Sequence, residues 1–410
     1  MLGAGALGLA WALTTTAAYL PPILEGYTSS ETLVGLVLAA EGLFALTLPL
    51  VIGPWSDTFH TPLGRRRPFM LVALGPMAFA LALLAFMPNL WTTALLLFAL
   101  FFAYYVYEPP YRGLYPDLLP GVVFGRAQGV QHVFRGIAIG GALIGGGFLF
   151  HLWHPAPFLV AAAVTTAACL VPILFATEDG GHGSVFEGVR AYVAHSWSVL
   201  RSDRDVATFL AANTAWEGTF AGARTFVVLY VTVGLDEPLV TSTFILAVVA
   251  GGYIVAALIA GPIGDRVGIA RVITFASVVY GVGLLTGGLG TTWHAWYLGL
   301  IFVVAIAGGM VMTLAWGLLF KLMPADQRGT VSGLATTTKG IGLVIGPLAA
   351  GAVIDILGSH LEATDGYQAL WPVLGIPILL AIPLDADQAC DERAHDAALL
   401  RRAAAGDGHR

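Results

Sequence analysis

Apolar runs of about 20 residues alternate with short polar loops along the whole chain. A helical run of this length crosses the hydrocarbon core of a bilayer, and lipid leaves the backbone no other hydrogen-bond partner. We predict twelve membrane-spanning helices, numbered spans 1 to 12 in chain order: 3–22, 33–55, 68–88, 91–111, 127–150, 155–176, 206–234, 240–262, 270–290, 293–320, 329–356 and 367–384.

The longest internal polar segment, residues 177–204, divides the spans six and six. Its apolar residues recur every three or four positions, which is typical of an amphipathic helix on the membrane surface. They are Phe186, Val189, Val193, Trp197 and Leu200. A plain linker with a chance apolar stripe is the alternative. The predicted regions are an N-terminal six-helix bundle (1–176), this linker (177–204), a C-terminal six-helix bundle (205–384) and a polar cytoplasmic tail (385–410).

Composition and charge agree with a chain whose solvent is lipid. Hydrophobic residues make up 57% of the sequence, charged residues 11%, and the mean hydropathy is +0.81. The net charge of −6 argues against a nucleic-acid partner. Sixteen of the 19 Lys and Arg residues lie in or beside loops on one predicted side, and loops on the other side contain none. This asymmetry predicts a multi-pass protein of the cell membrane with both termini cytoplasmic.

Two sequence repeats relate the halves of the chain. The first ends in Asp57 and again in Asp265: Gly53-Pro54-Trp55-Ser56-Asp57 and Gly261-Pro262-Ile263-Gly264-Asp265. The second aligns span 5 with span 11: Leu119-Pro120, Gly125, Gly129 and Arg135-Gly136-Ile137 with Met323-Pro324, Gly329, Gly333 and Lys339-Gly340-Ile341. We therefore predict an all-α membrane protein with twelve transmembrane helices in two pseudo-symmetric six-helix bundles. Its substrate site is expected between the bundles, near the midplane.

Each copy of the loop motif combines an acid with basic residues. Asp57 is followed by Gly64, Arg65, Arg66 and Arg67, and Asp265 by Arg266. A carboxylate at the end of one helix can accept hydrogen bonds from the N-terminus of another, whose dipole favours negative charge. We predict that Asp57 binds the start of span 11 and Asp265 the start of span 5. Such contacts would form only when the cytoplasmic side is closed and would gate transport. The alternative is an anchor at the membrane surface.

Six Asp, Glu, Lys or Arg residues fall inside predicted spans more than two residues from either end: Glu41, Glu108, Arg135, Glu217, Arg224 and Lys339. Charges are costly in lipid, so these side chains are expected to face protein or water and are functional candidates. Two pairs are predicted, Glu41 with Lys339 and Glu108 with Arg112, one turn away. Glu217 and Glu41 are the candidates for proton coupling, and a static ion pair is the alternative for each.

Polar and aromatic side chains on the predicted cavity helices are candidate substrate contacts. Aromatic rings can stack on the C–H faces of sugars, and amides can bind their hydroxyls. The candidates are Trp11, Tyr104, Trp216, Asn213 and Gln131. For each of them, core or interface packing is the alternative.

The chain resembles the major facilitator superfamily over essentially its whole length. Within it, the sequence is similar to the sucrose-transporter and glycoside–pentoside–hexuronide cation symporter group. The likeness lies in Ser56-Asp57, six residues, then Gly64-Arg65-Arg66-Arg67-Pro68-Phe69, in Gly8-Leu9-Ala10-Trp11-Ala12-Leu13, and in Pro110-Tyr111-Arg112-Gly113-Leu114 with Asp117. The resemblance implies a sugar-binding or gating role for Arg112.

The sequence departs from that group at two positions. Thr58 stands where a basic residue is usual, and Phe101 stands where plant members have the aspartate understood to couple protons. Neither sucrose specificity nor that proton site is therefore implied.

The expected function is secondary active transport of a sugar or glycoside, by proton- or sodium-coupled symport with alternating access. A drug or metabolite/proton antiporter of the same fold is the alternative. Such antiporters usually carry a Gly-Pro pair in span 5, whereas Gly346-Pro347 lies in span 11 here. No nucleophile–base set or phosphate loop points to an enzyme. The expected partners are a small-molecule substrate, a coupling cation and the lipid bilayer, for a monomer with no cofactor or metal.

Overall fold

The computed structural model describes residues 1–27, 37, 40–84, 86–178, 187–324, 326–357 and 360–382. Nearly all of them form α-helices, as the apolar runs predict. The helices are α1 (Leu2–Glu25), α2 (Ala40–Thr47), α3 (Pro49–Thr58), α4 (Arg67–Leu84), α5 (Leu90–Leu118), α6 (Phe124–Gly140), α7 (Gly146–Leu152), α8 (Ala156–Phe175), α9 (Val189–Ser202), α10 (Arg204–Leu229), α11 (Leu239–Val267), α12 (Ile269–Gly287), α13 (Tyr297–Leu322), α14 (Arg328–Leu357) and α15 (Tyr367–Ile382). Phe186 and the tail 385–410 lie outside the described residues.

Eight helices in the described part of the chain are long and apolar enough to cross a membrane. They correspond to spans 3 to 6 and 8 to 11. Spans 1 and 7 are also helical, as α1 and α10, with 24 and 26 residues. Both have the length to span a bilayer, but they carry polar side chains, among them Thr15, Thr16 and Glu217.

The chain forms two compact units. Unit 1 comprises Met1–Gly121, Val130–Asp203 and Met323–Gly340, and unit 2 comprises Val122–Gly129, Arg204–Leu322 and Ile341–Arg410. Each unit therefore contains one half of the sequence together with the beginning of a helix from the other half. The exchanged segments begin α6 and α14, the two helices that the second repeat relates.

Helix packing inside each unit leaves an apolar surface for lipid. In unit 1, α1 packs on α8, and α4 packs on α5 and α8. Met70, Met77 and Phe158 are completely buried, whereas Val72 and Phe79 on α4 are 71% and 63% exposed. In unit 2, α13 packs on α11 and α12. Large apolar side chains that face outward suit a bilayer, because lipid imposes no cost on them.

A π-helical turn, Gly141–Gly145, joins α6 to α7 within span 5. The Tyr19 hydroxyl donates to the carbonyls of Ala142 and Leu143, at 3.0 and 2.8 Å. Both carbonyls also accept the Gly146 N–H group, so the Tyr19 hydroxyl adds a shared donor at this wider turn.

Close helix contacts in unit 2 depend on glycine. A Cβ added at Gly342 in α14 would lie 2.7 Å from the Thr214 carbonyl oxygen and 2.8 Å from the Gly218 nitrogen, both in α10. Glycine therefore permits a backbone-to-backbone approach that no side chain would allow.

We predict that Gly342→Ala lowers the stability of the folded protein by about 1–3 kcal/mol, because the new methyl group cannot fit without moving α10. Gly136→Ala is the matched control, since Gly136 is exposed in α6 with nothing within 4 Å of an added Cβ. It should be neutral or stabilise by up to about 1 kcal/mol through helix propensity. Thermal unfolding in detergent measures both, and equal unfolding midpoints would contradict the packing argument.

Candidate functional site

The Asp57 carboxylate, at the end of α3, caps the start of α14. Its oxygens accept hydrogen bonds from the N–H groups of Gly329 and Thr330, both at 2.7 Å, and from the Thr330 hydroxyl at 3.0 Å. Asp57 is only 7% exposed. The first N–H groups of a helix have no partner within it, and the helix dipole favours an anion there. The predicted contact between Asp57 and the start of span 11 is therefore present.

Glycines let α3 and α14 approach this closely. A Cβ added at Gly53 would overlap the carbonyl oxygen of Gly329, and one at Gly333 would overlap that of Pro49. Gly53 lies one helical turn before Asp57, so both residues of the motif face the same partner helix. With the Gly-x-x-x-Asp spacing, the glycine lets α3 approach the backbone of α14 and the aspartate caps the start of α14.

The guanidinium of Arg66 lies fully buried between two carboxylates. It donates to Asp57 at 3.1 Å, to Asp117 at 2.5 Å and to the Ser56 hydroxyl at 3.2 Å. Burial by itself would lower the pKa of Arg66, but Asp57 and Asp117 raise it above the ordinary value. Arg66 is therefore a permanent cation that holds α3 to the end of α5.

Asp117 extends this network to α14. It accepts hydrogen bonds from Arg328 at 2.7 Å and from Arg65 at 3.4 Å, in addition to Arg66. Arg328 is the first residue of α14 and directly precedes Gly329. Two acids, Asp57 and Asp117, therefore bind the same helix start.

Glu178, just after α8, fixes the loop between α3 and α4. Its carboxylate accepts the N–H groups of Arg66 at 3.2 Å and Arg67 at 3.1 Å. Burial raises the pKa of Glu178, although these N–H groups lower it in part. Gly64 has a φ of +101°, and a Cβ there would lie 2.5 Å from Glu178 Oε2. Glycine is needed at this position for its conformation and for the space.

The second copy of the motif repeats the cap in unit 2. Asp265 accepts the N–H groups of Gly125 at 2.9 Å and Arg126 at 3.1 Å, at the start of α6, as predicted for span 5. The two copies differ in their cations. Arg66 beside Asp57 has no exposed side-chain surface, whereas the Arg126 side chain paired with Asp265 is 63% exposed. Arg266 is exposed as well.

Unit 1 contains a cavity of about 60 Å³ lined by α1, α5 and α6. That volume is well below the roughly 300–1,000 Å³ of sites that enclose drug-sized molecules. Five predicted substrate or coupling residues line it: Tyr104, Glu108, Arg112, Gln131 and Arg135. Apolar residues of α1, among them Leu9 and Leu13, supply much of the opposite wall. The ring of Trp11 instead packs against Gly141.

Glu108 and Arg112 form the predicted pair in the wall of this cavity. They lie one turn apart on α5, 2% and 6% exposed, with Arg112 Nη2 3.7 Å from Glu108 Oε1. The pair is long, and Glu108 Oε2 is buried without a hydrogen-bond partner among the described residues. Pro109 and Pro110 follow Glu108 and supply no N–H groups, which leaves two carbonyls of the preceding turn without helical donors.

Glu41 and Lys339 also belong to unit 1. Glu41 is half-buried and accepts a hydrogen bond from the Tyr105 hydroxyl at 3.4 Å. Lys339 is half-buried too, and the next residue, Gly340, packs on Ala45, one turn from Glu41. The ion pair between Glu41 and Lys339 stays a prediction.

The remaining candidates lie on α10 in unit 2. Asn213, Trp216 and Glu217 are buried, at 4%, 0% and 8% exposure, and Arg224 is exposed. The Trp216 ring meets the ring of Phe209 edge to face, with centroids 5.8 Å apart. For Trp216, this contact supports the packing interpretation.

Sequence reasoning missed three residues of the charged network. Arg328 and Thr330 flank Gly329, which the span 5 and span 11 repeat had marked, and Glu178 follows the sixth apolar run directly. A search for polar residues beside the repeated glycines would have found the first two. Glu178 carries no comparable signal, because the loop it binds is distant in sequence.

Comparison with protein families decides the identity of the fold. The family described as Major Facilitator Superfamily matches residues 1–347 and 238–384. The chain belongs to the Major Facilitator Superfamily. It is therefore a membrane transporter for a small-molecule substrate and not an enzyme, with the all-helical fold that the resemblance implied.

Relatives of this superfamily member include two bacterial proteins. Multidrug resistance protein 3 of Bacillus subtilis (strain 168) is 28% identical over 123 residues, which are 30% of this chain and 22% of that protein. Multidrug resistance protein MdtG of Proteus mirabilis (strain HI4320) is 26% identical over 331 residues, 78% of each. The crystal structure of the E. coli Fucose:proton symporter covers 93% of this chain and 97% of its own, with a TM-score of 0.73 and 15% identity. That likeness concerns the fold.

The narrower resemblance to the sucrose-transporter and glycoside–pentoside–hexuronide group is not supported, since these sequence relatives are multidrug resistance proteins. Its strongest signal lay in Asp57, Gly64 and Arg65 to Arg67. In the structure these residues hold helix ends and loops together, so they carry information about the scaffold rather than about the substrate.

We predict that Arg66→Gln destabilises the transporter by about 3 kcal/mol or more, because it leaves two buried carboxylates short of their shared cation. Arg65→Gln is the control, since Arg65 is half-buried and one of three arginines on Asp117. Its loss should cost less than about 1 kcal/mol. Thermal unfolding of the two variants gives the comparison, and equal midpoints would refute the assignment of Arg66 as the central cation.

Proposed function

We propose that this transporter exports a small amphipathic organic molecule in exchange for protons, by alternating access. The cavity of unit 1 binds a hydrogen-bond donor group of the molecule, and Glu108 couples this binding to the proton. One observation carries the proposal: Glu108 is a buried carboxylate in the cavity wall, held at 3.7 Å by Arg112, with its second oxygen unpartnered among the described residues.

A shared carboxylate explains exchange in physical terms. Ionised Glu108 is stabilised by Arg112 and offers an acceptor to a hydrogen-bond donor of the substrate. A proton on Glu108 neutralises the carboxylate and weakens its attraction for that donor. Proton and substrate therefore compete for one group, and each favours release of the other, as antiport requires.

The cavity lining supports the substrate class. Leu9, Leu13 and Ile139 give it apolar walls. Two acceptors in the same walls are buried without partners among the described residues, Glu108 Oε2 and Gln131 Oε1. A ligand that combines an apolar body with N–H donors would satisfy both features. Both sequence relatives are named multidrug resistance proteins, which supports a drug-like organic substrate.

Cation-coupled symport of a sugar or glycoside is the second candidate. The same two acceptors suit hydroxyl donors, and the Tyr104 ring in the cavity wall offers an apolar surface for a sugar. The direction of coupling separates the candidates. A symporter accumulates its substrate on the side to which protons flow, and an antiporter depletes it there.

In the predicted orientation both termini lie in the cytoplasm, and the working unit is a monomer. The caps at Asp57 and Asp265 then lie on the cytoplasmic side. Each cap joins an N-terminal and a C-terminal part of the sequence, so its formation in only one transport state would bias the cycle.

Transport by purified protein in liposomes tests the function. The assay uses a panel of amphipathic amines and of sugars, with proton and sodium gradients imposed separately. We expect a proton gradient to drive an amine in the direction opposite to proton flow. Accumulation of a sugar along the proton or sodium flow, with no amine transport, would establish the second candidate instead.

We predict that Glu108→Gln abolishes gradient-driven transport but retains exchange of labelled for unlabelled substrate, because the amide keeps its shape and cannot carry a proton. Glu217→Gln, in the other carboxylate favoured by the sequence, should retain gradient-driven transport. The two variants are compared in the same liposomes. If Glu217→Gln abolishes gradient-driven transport and Glu108→Gln retains it, the proton-coupling site lies on α10.

We predict that Asp57→Asn slows turnover about tenfold or more with little change in equilibrium substrate affinity, because charged acceptors bind N–H groups more strongly than neutral ones. Asp265→Asn is the matched variant and should have a smaller effect, since its cation is exposed to solvent. Turnover and equilibrium binding are measured for both. A large loss of affinity with unchanged turnover would contradict the gating role.

A further inference from the structure

Helix α9 has one face packed inside unit 1. Tyr192, Ser196 and Val199 are buried at 1–3% exposure, and α9 contacts α3. These three positions lie within about 60° of one another around the helix. Residues 189–202 form a helix within the predicted segment 177–204, but the buried face of this helix is offset from the apolar stripe that predicted it. Its position on the membrane surface stays a prediction.

The contact between α9 and α3 supplies a backbone hydrogen bond that α3 lacks. Pro54 in α3 has no N–H group, so the Leu50 carbonyl, four residues earlier, lacks its helical donor. The Ser196 hydroxyl donates to this carbonyl at 3.1 Å. Ser196 itself is 1% exposed. A side chain of α9 thus supplies the hydrogen bond that proline removed, on the helix that carries Asp57.

A second face of α9 is apolar, basic and exposed. Val189, Val193 and Trp197 follow one another at four-residue spacing with 57%, 39% and 54% exposure. Arg190 and Arg201 are exposed and flank this stripe on the side away from the buried face. The Arg201 guanidinium lies 5.0 Å from the centre of the Trp197 ring. These five residues are called the lipid face of α9.

We propose that the lipid face of α9 binds anionic phospholipid and that the Ser196–Leu50 hydrogen bond transmits this binding to α3. Apolar side chains with an aromatic residue beside arginines fit the boundary between acyl chains and headgroups. Two arginines close to the stripe complement a negative headgroup and give no preference for a zwitterionic one.

The packing of α9 sets this helix beside predicted span 2. Leu50 belongs to that span (33–55) and lies eight residues, or about 12 Å, from the end of α3 at Thr58. With span 2 in the bilayer, as the sequence predicts, the outward face of a helix docked beside Leu50 meets lipid. A soluble partner would have to displace that lipid.

The transmission step rests on the proposed gating role of Asp57. Lipid that holds α9 in place keeps Ser196 on Leu50 and thereby steadies α3, whose Gly53 and Asp57 contact α14. Anionic lipid should then favour the state in which α3 and α14 are joined.

Quenching of Trp197 fluorescence by brominated lipid tests the binding step without any transport. The protein is reconstituted in vesicles of phosphatidylcholine and phosphatidylglycerol, with bromine on one lipid at a time and at equal fractions. The Trp197 signal is the difference between the parent and Trp197→Phe. We expect an apparent affinity for brominated phosphatidylglycerol about fivefold or more above that for brominated phosphatidylcholine.

Charge variants show whether the lipid face is responsible. Arg190→Gln with Arg201→Gln should remove the preference, and Arg271→Gln, an exposed arginine at the start of α12, should retain it. Equal quenching by the two lipids in the parent would overturn the proposed site. Loss of the preference in Arg271→Gln as well would reduce it to a general charge effect and would overturn it too.

Thiol labelling tests the transmission step. Ser332→Cys places a thiol on α14 at a position that is completely buried in unit 1. Labelling of the parent protein, which contains only Cys169 and Cys390, is measured as the background and subtracted. We expect phosphatidylglycerol to slow labelling about threefold to tenfold, and Ser196→Ala to remove this effect, in keeping with the loss of one hydrogen bond.

Ser196→Ala should leave the quenching preference intact, which shows that the lipid face is still folded. A lipid effect on labelling that persists in Ser196→Ala would overturn transmission through this bond. If phosphatidylglycerol does not change the labelling of Ser332→Cys, the proposed transmission from α9 to α3 and α14 is wrong. The lipid site is then still supported by the quenching result. Neither readout requires a transported substrate, so both results are independent of the export assay.

Discussion

The structure depends on buried carboxylates that cap helix starts. The first N–H groups of α14 have no partners within their own helix, and burial of Gly329 and Thr330 keeps water from their N–H groups. Asp57 binds two of them and the Thr330 hydroxyl, and Asp117 binds the adjacent Arg328. The donors and the acids come from opposite halves of the sequence, so these contacts join distant segments of the chain within unit 1.

The duplicated cap has two versions of unequal strength. Asp57 lies in a buried network with Arg66 and Asp117, where the charges are screened little, whereas Asp265 relies on the exposed Arg126. A buried charge network is strong when complete and costly when one member is missing. An exposed pair is weaker and tolerant of change. The repeat therefore preserved the backbone geometry of the cap, and its surroundings diverged.

Helix α5 connects the cavity with this network. Glu108 and Arg112 face the cavity, and Asp117 lies five residues further on, about 7.5 Å along the axis. Gly113, between them, leaves space for the Arg66 guanidinium. A Cβ at Gly113 would lie 2.5 Å from the central carbon of that guanidinium. The cavity and the cap thus lie on neighbouring turns of one helix.

The sequence by itself determined the helices, the two-fold repeat and the residues that cap α6 and α14, because apolar length, lipid and helix dipoles leave few alternatives. It also marked Glu108 and Arg112 as a pair, since helical spacing places residues four apart on one face. Only the tertiary structure decided that Arg66 lies between two acids, that Glu178 binds the loop and that Ser196 replaces the donor missing at Pro54. These contacts join residues 51, 112 and 146 positions apart. Their partners follow from how helices pack, and no local pattern of residues encodes that.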